Sequence, residues 1–199
     1  MREHEVNSLD NFIAGWYLDD PIIDELINYH KETPDKSPGV IGGYNDATPF
    51  IDLKIKNSMD VCLFHNVKLY EKYVLFLQQF TEEYKKKYSY CDFYDPWNPA
   101  TEPPNIQYYP PGGGFFQWHC ERGSSIYPAN NRHLVYMTYL NDVTDAGETE
   151  FFYQKVKIKP ERGLTIIWPA DWCFTHRGVA SPTQEKYIIT GWYHYVPRS

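Results

Sequence analysis

Apolar positions follow two different periods along the chain. In the N-terminal part they recur at helical spacing. The stretch DDPIIDELINYH sets Ile22, Ile23, Leu26 and Ile27 on one face, with Asp20 as an N-cap and Pro21 at the first helical position. The stretch NVKLYEKYVLFLQQFTEEYKKKY predicts a longer amphipathic helix, with Val67, Tyr70, Val74, Leu77 and Tyr84 along its apolar stripe and Lys85 to Lys87 at its negative dipole end. Both read as scaffold. From about Asn105 the period shortens, and β-branched and aromatic runs alternate with Gly, Pro, Asn and Asp: NIQYY, FFQWHCE, HLVYMTYL, TEFFYQKVKI, LTIIW, CFTHRG and KYIITGWYHYV. So many short strands favour a β-sandwich or barrel of jelly-roll type, because a parallel α/β sheet needs a helix between most strands.

Composition narrows the picture. A chain of 199 residues suits one domain with a sizeable core. Aromatics make up 18% of it, which a disordered or coiled-coil chain would not carry. The formal net charge of -7 argues against nucleic acid as a partner, since phosphate-backbone binding needs an excess of lysine and arginine on one face. The start MREHEVNSLDNF has no apolar signal core, and no apolar run of membrane-spanning length follows, so a soluble, cytoplasmic protein without membrane contact is expected. Cys62, Cys91, Cys120 and Cys173 are irregularly spaced with no Cys-x-x-Cys pair, and read as reduced thiols.

The candidate chemistry lies in QWHCERG, residues 117–123. On a strand, His119 and Glu121 share one face and Cys120 takes the other, where it packs. Two residues of strand separate their Cα atoms by roughly 6.5 Å, close enough for imidazole and carboxylate to meet at one ion. His-x-Glu alone is as compatible with a plain strand end. His176, in FTHRG, would complete a face of two histidines and one carboxylate, the set that leaves three positions open on Fe(II). Ten residues on, Lys186 enters the apolar strand YIIT, where it either meets an anionic partner or snorkels to solvent at the strand's start. Arg122 and Arg177 follow the ligands closely; they either recognise an anionic substrate or face away onto surface carboxylates. The run GGG at 112–114 lacks a following Gly-Lys-Ser/Thr and reads as a flexible lip. His4, His30, His65, His133 and His194 have no partner at useful spacing.

In this order and spacing the residues resemble the 2-oxoglutarate and Fe(II)-dependent dioxygenases, and within them the prolyl 4-hydroxylase-like branch. The resemblance runs from about Asn105 to Val196. YYPPGGGFFQWH is similar to the family's Tyr-Pro/Gly-rich lead-in, RHLVYMTYLNDV to its Arg-then-Tyr-Leu-Asn strand, and GETEF to its Gly-Glu-Thr-x-Phe turn. NFIAGWYLDDPIIDELI is more loosely similar to the branch's helical start. It implies a mainly β fold with N-terminal helices: a double-stranded β-helix (jelly roll, cupin-like) over 105–196, braced by mostly helical support over 1–104, in one domain. It implies His119, Glu121 and His176 as iron ligands, and Lys186 and Tyr109 at the distal carboxylate of 2-oxoglutarate, with Thr149 as a further cosubstrate contact. Arg132 and Trp192 would line the substrate mouth. Tyr109 and Trp192 read equally well as core. One departure stands out, because the branch usually has aspartate where this chain has Glu121. The extra methylene moves the carboxylate outward by about one carbon–carbon bond, so that strand or metal must shift.

The implied reaction joins Fe(II), 2-oxoglutarate and O2, with ascorbate as auxiliary reductant, to hydroxylate a C–H bond, releasing succinate and CO2. A prolyl residue of a peptide or protein is the leading substrate. A free amino acid or other small molecule, and a non-catalytic metal-binding jelly-roll module, are the alternatives; a retained Lys186 weighs against the last. Oligomeric state is not legible in the sequence.

Overall fold

In the computed structural model, residues 1–4, 11–42, 48–98 and 102–196 are described. Residues 43–47, within the stretch SPGVIGGYNDATPF, lie outside them. The first helix, α1 (Ile22–Glu32), starts as predicted: the Asp20 carboxylate accepts the Ile22 N–H at 2.9 Å, and the helix buries Ile22, Ile23 and Leu26. The second, α2 (Val67–Lys87), is capped by the Asn66 side chain, which accepts the Leu69 N–H at 3.1 Å. Its buried face is Leu69, Tyr73, Phe76, Leu77, Phe80 and Tyr84, rotated from the expected stripe; Val67 is 62% exposed, and Tyr70 and Val74 are half-buried. The helix is apolar around much of its circumference, and the face carrying Tyr73, Phe76 and Phe80 buries more area than the one carrying the valines.

Twelve strands are present among the described residues. They are β1 (Arg2–His4), β2 (Ala14–Tyr17), β3 (Ser37–Pro38), β4 (Met59–Cys62), β5 (Trp97–Asn98), β6 (Asn105–Tyr109), β7 (Arg132–Tyr139), β8 (Thr149–Phe151), β9 (Val156–Ile158), β10 (Leu164–Pro169), β11 (His176–Gly178) and β12 (Lys186–Tyr195). All pair antiparallel. Nine form one sheet in the order β1-β2-β10-β7-β12-β6-β4-β3, with β5 beside β12; β11-β8-β9 form a second. This is a jelly-roll-like arrangement. The first 104 residues thus supply five strands as well as both helices. FFQWHCE is not a regular strand: within it only Phe115 and His119 make isolated bridges, to Lys56 and His176.

The large sheet is buried on both faces, which is why β7 and β12 read as nearly unbroken apolar runs. Leu134, Tyr136, Tyr187, Ile189 and Tyr193 pack with the helices in one core cluster. Val135, Met137, Tyr139, Ile188 and, partly, Trp192 join Phe151, Val156 and Ile158 of the small sheet in the other. Alternation therefore sends Lys186, Ile188, Thr190 and Trp192 of β12 into the space between the sheets. No helix among the described residues is long and apolar enough to cross a membrane.

Candidate active site

A cavity of about 530 Å³ opens between the sheets. His119, Glu121 and His176 meet in its wall, with one ligand atom from each within 4.8 Å of the others. The bridge between the histidines builds this corner: His119 N–H donates to His176 O at 3.0 Å, and His176 N–H returns to His119 O at 2.8 Å. Their Cα atoms are thereby fixed without a continuous strand. Each Nδ1 sits 2.9 Å from a carbonyl two residues back, Gln117 O for His119 and Phe174 O for His176, so each Nδ1 donates to the backbone and each Nε2 is turned toward the cavity. Both Nε2 atoms face the same oxygen, Glu121 Oε1, at 3.5 Å and 3.3 Å.

Protonation suits a cation. Burial, and His176 beside it, push His119 down toward the neutral imidazole. Burial alone would raise Glu121, but its contacts with the two histidines reverse this and hold its carboxyl well below the usual range. Two imidazoles and one carboxylate form a donor set that fits Fe(II) and leaves open positions for small ligands.

Lys186 faces the same cavity and is buried. Its Nζ donates to Gly147 O at 2.8 Å and Val179 O at 3.4 Å and lies 5.1 Å from the centre of the Tyr109 ring. It does not snorkel, and among the described residues it pairs with no carboxylate. Burial lowers its ammonium to about 8, with Glu148 only partly opposing. A desolvated cation with carbonyls alone for company is suited to an incoming anion. Tyr109 pairs with Lys186 across β6 and β12 and donates its hydroxyl to Gln107 Oε1 at 2.6 Å. Thr149 also lines the cavity, and its Oγ1 accepts the Tyr139 hydroxyl at 2.6 Å.

The residues expected at the substrate mouth divide. Arg122 turns out of the cavity to Asp171, its Nε donating at 3.0 Å, and Arg177 to Glu150 at 3.0 Å while lying over the Trp118 ring. Both bind surface carboxylates, so their expected contact with an anionic substrate is withdrawn. Arg132 and Trp192 do line the cavity, but both bond Glu121. Cys120, expected to pack on the face away from the ligands, lines the cavity as well, because QWHCERG is not a strand.

Five residues at the site escaped the sequence reading. Glu102 accepts both arms of Arg132, and His194 Nε2 stands 2.9 Å from Glu102 Oε2, near in distance but poorly aligned for a hydrogen bond. Lys56 and Asp60 form a second buried ion pair in the cavity wall at 2.7 Å. Trp168, 5.2 Å from His176 between ring centres, has a buried indole N–H without a hydrogen-bond partner among the described residues. Nothing in sequence spacing joins Glu102 to Arg132. Lys56 and Asp60 stand four apart but not on a helix.

Comparison with known proteins agrees with this geometry. Residues 104–194 match the model of the 2OG-Fe(II) oxygenase superfamily. No curated protein matches the sequence significantly. Among solved structures, a prolyl-4-hydroxylase of Pseudomonas putida is similar at 15% identity, with a TM-score of 0.66 and 92% of each chain covered. The viral collagen prolyl hydroxylase of Paramecium Bursaria Chlorella virus-1, in its 2-oxoglutarate complex, gives 21%, 0.60, and 94% and 97% coverage. A prolyl hydroxylase of Trichoplax adhaerens, in complex with a hypoxia inducible factor peptide fragment, gives 17%, 0.67, and 93% and 84%. At these identities the likeness is one of fold. The family match, by contrast, spans the segment in which the two histidines, Glu121 and Lys186 share a cavity; residues 104–194 belong to the 2OG-Fe(II) oxygenase superfamily by that match, which supports a 2-oxoglutarate-dependent dioxygenase on the fold it shares with prolyl 4-hydroxylases.

Proposed function

We propose that the protein hydroxylates a prolyl residue of a peptide or protein, on a double-stranded β-helix core, with Fe(II) held by His119 Nε2, Glu121 Oε1 and His176 Nε2. The observation that carries the reading is the single cavity in which this triad and the uncompensated Lys186 both open. Bound Fe(II), with 2-oxoglutarate and O2, would supply the oxidation of a substrate C–H bond to an alcohol as the cosubstrate becomes succinate and CO2.

The chain's own residues bind, orient and exclude water. Lys186 Nζ would exchange its carbonyl contacts for the distal carboxylate of 2-oxoglutarate, which restores the charge balance that burial removed. Tyr109 stands beside it and would turn its O–H from Gln107 to the same carboxylate. Ile188, Met137, Trp168 and Phe115 line the wall and keep the pocket dry, so that the polar contacts inside act at reduced dielectric. Val40, Pro49, Ile126 and Tyr127 give the cavity an apolar side suited to a pyrrolidine ring and its neighbours. Peptide as the substrate class is supported by the hypoxia inducible factor peptide bound in the Trichoplax adhaerens structure and by the viral relative being a collagen prolyl hydroxylase.

The test is succinate formation from 2-oxoglutarate by anaerobically purified protein given Fe(II), ascorbate and then O2, beside Glu121→Ala. Succinate that disappears in the variant is expected. With proline-containing peptides, a gain of one oxygen atom by mass spectrometry and faster succinate release should accompany it. Stimulation by free amino acids but by no peptide would refute the prolyl assignment, and absence of 2-oxoglutarate binding would refute the reaction.

A further inference from the structure

Glu121 presents one oxygen to the histidines, and its other oxygen is occupied. Oε2 accepts Trp192 Nε1–H at 2.9 Å and Arg132 Nη1–H at 3.2 Å, while the same Nη1 also donates to the Glu121 backbone carbonyl at 2.9 Å. Arg132 is itself gripped from behind by Glu102, which accepts from Nε at 2.6 Å and from Nη2 at 2.8 Å, and its guanidinium carbon lies 3.7 Å from the centre of the Trp192 ring. Burial would raise Glu102, but its bonds to Arg132 and its contact with His194 keep its carboxyl below the ordinary range. Arg132 is therefore locked between two carboxylates and stacked on an indole, with four of its five guanidinium N–H groups committed to Glu102 and Glu121.

The backbone shows how Arg132 comes to be there. Alternation with Leu134 and Tyr136, which face the helices, would send it to the helix side. Between Tyr193 and His194 the register of β12 on β7 shifts, so that His194 pairs with Arg132. This bulge turns Arg132 toward the cavity, a recurrent use of bulges beside active sites.

We infer that Arg132 and Trp192, backed by Glu102, are positioning residues that clamp Glu121 Oε2 so that the longer glutamate offers the metal a single oxygen, Oε1. The inference rests on the proposed metal site. It also accounts for the glutamate: the extra methylene spans the distance between clamp and histidines, which an aspartate at position 121 would not bridge. Residues that the family resemblance places at the substrate mouth here serve the ligand set instead.

The experiment is a Co(II) titration of the full-length metal-free protein, followed by visible absorption and calorimetry, for the wild type, Trp192→Phe, Arg132→Lys and Glu121→Asp. Trp192→Phe keeps the stacked ring and removes only the N–H; Arg132→Lys keeps the charge and loses the fork. Each is expected to weaken Co(II) binding roughly 10- to 100-fold, as loss of an outer-shell partner does. The visible band should also change, because Oε2 is freed to swing onto the metal. Glu121→Asp should weaken binding too, although aspartate is the branch's usual residue. Wild-type Co(II) affinity and spectrum in folded Trp192→Phe would overturn the inference, and a lowered unfolding temperature with an unchanged spectrum would assign the clamp a merely structural role. A wild type that takes up no Co(II) would instead overturn the metal site itself, before any variant is compared.

Discussion

Replacing Lys186 with methionine should stabilise the metal-free protein while removing its cosubstrate. Burial brings the ammonium from 10.5 to about 8. At 1.36 kcal/mol per pH unit, holding that charge inside costs about 3 kcal/mol of folding free energy. Methionine removes this cost and fills similar volume. It also forfeits two hydrogen bonds to Gly147 O and Val179 O, each worth about 1 kcal/mol. The net gain is about 1 kcal/mol, or about 2–4 °C in unfolding temperature for a chain of this size. The sign depends on pH. Because the folded value lies below the unfolded one, the penalty is full below about pH 8 and fades as pH rises toward 10.5, so the advantage of Lys186→Met is largest at neutral pH and closes in alkali. Binding runs the other way. Stripping one partner from a buried ion pair costs about 3–5 kcal/mol, so affinity for 2-oxoglutarate in the Co(II)-loaded protein should fall by roughly 10²- to 10⁴-fold. In the wild type that affinity should decline above pH 8 as Nζ deprotonates; in the variant this decline should be absent. Scanning calorimetry and 2-oxoglutarate titration decide both arms. A variant that is less stable than the wild type at pH 7 and binds 2-oxoglutarate unchanged would refute the reasoning.

Three further outcomes are expected. Chelation of iron should stop succinate formation and added Fe(II) restore it, whereas His176→Ala should not be restored, since one of the two Nε2 donors is gone; recovery of the variant with Fe(II) would remove His176 from the ligand set. Phe80→Ala empties a fully buried site where α2 meets the large sheet and should lower stability by about 3–5 kcal/mol in urea unfolding. Gly191→Ala should destabilise by about 1–3 kcal/mol, read from thermal unfolding, because a Cβ there would overlap the ring and hydroxyl of buried Tyr136, its cross-strand partner.

Local and periodic features of this protein were legible in its sequence. The Asp20 cap, the extents of β6 and β12, and the alternation that puts Lys186 on the face between the sheets all follow from a few residues' geometry, since cap and pleat are short-range. The His119, Glu121 and His176 grouping was readable from chemistry and spacing, although the geometry that delivers it was not: an isolated bridge between the histidines, not a strand, joins them. The buried face of α2 was misplaced because its apolar residues admit more than one stripe, and only contact with the sheet selects one. Tertiary structure alone decided the fate of the arginines. Arg122 and Arg177 found carboxylates outside the cavity, and Arg132 was turned inward by a one-residue change of register on the neighbouring strand. Glu102, 30 positions before Arg132, became its anchor only once folding had closed that distance. Hydrophobic period reports which face of an element is buried, but it carries no information on which distant polar groups will meet there, because that depends on how strands are paired and where their register slips.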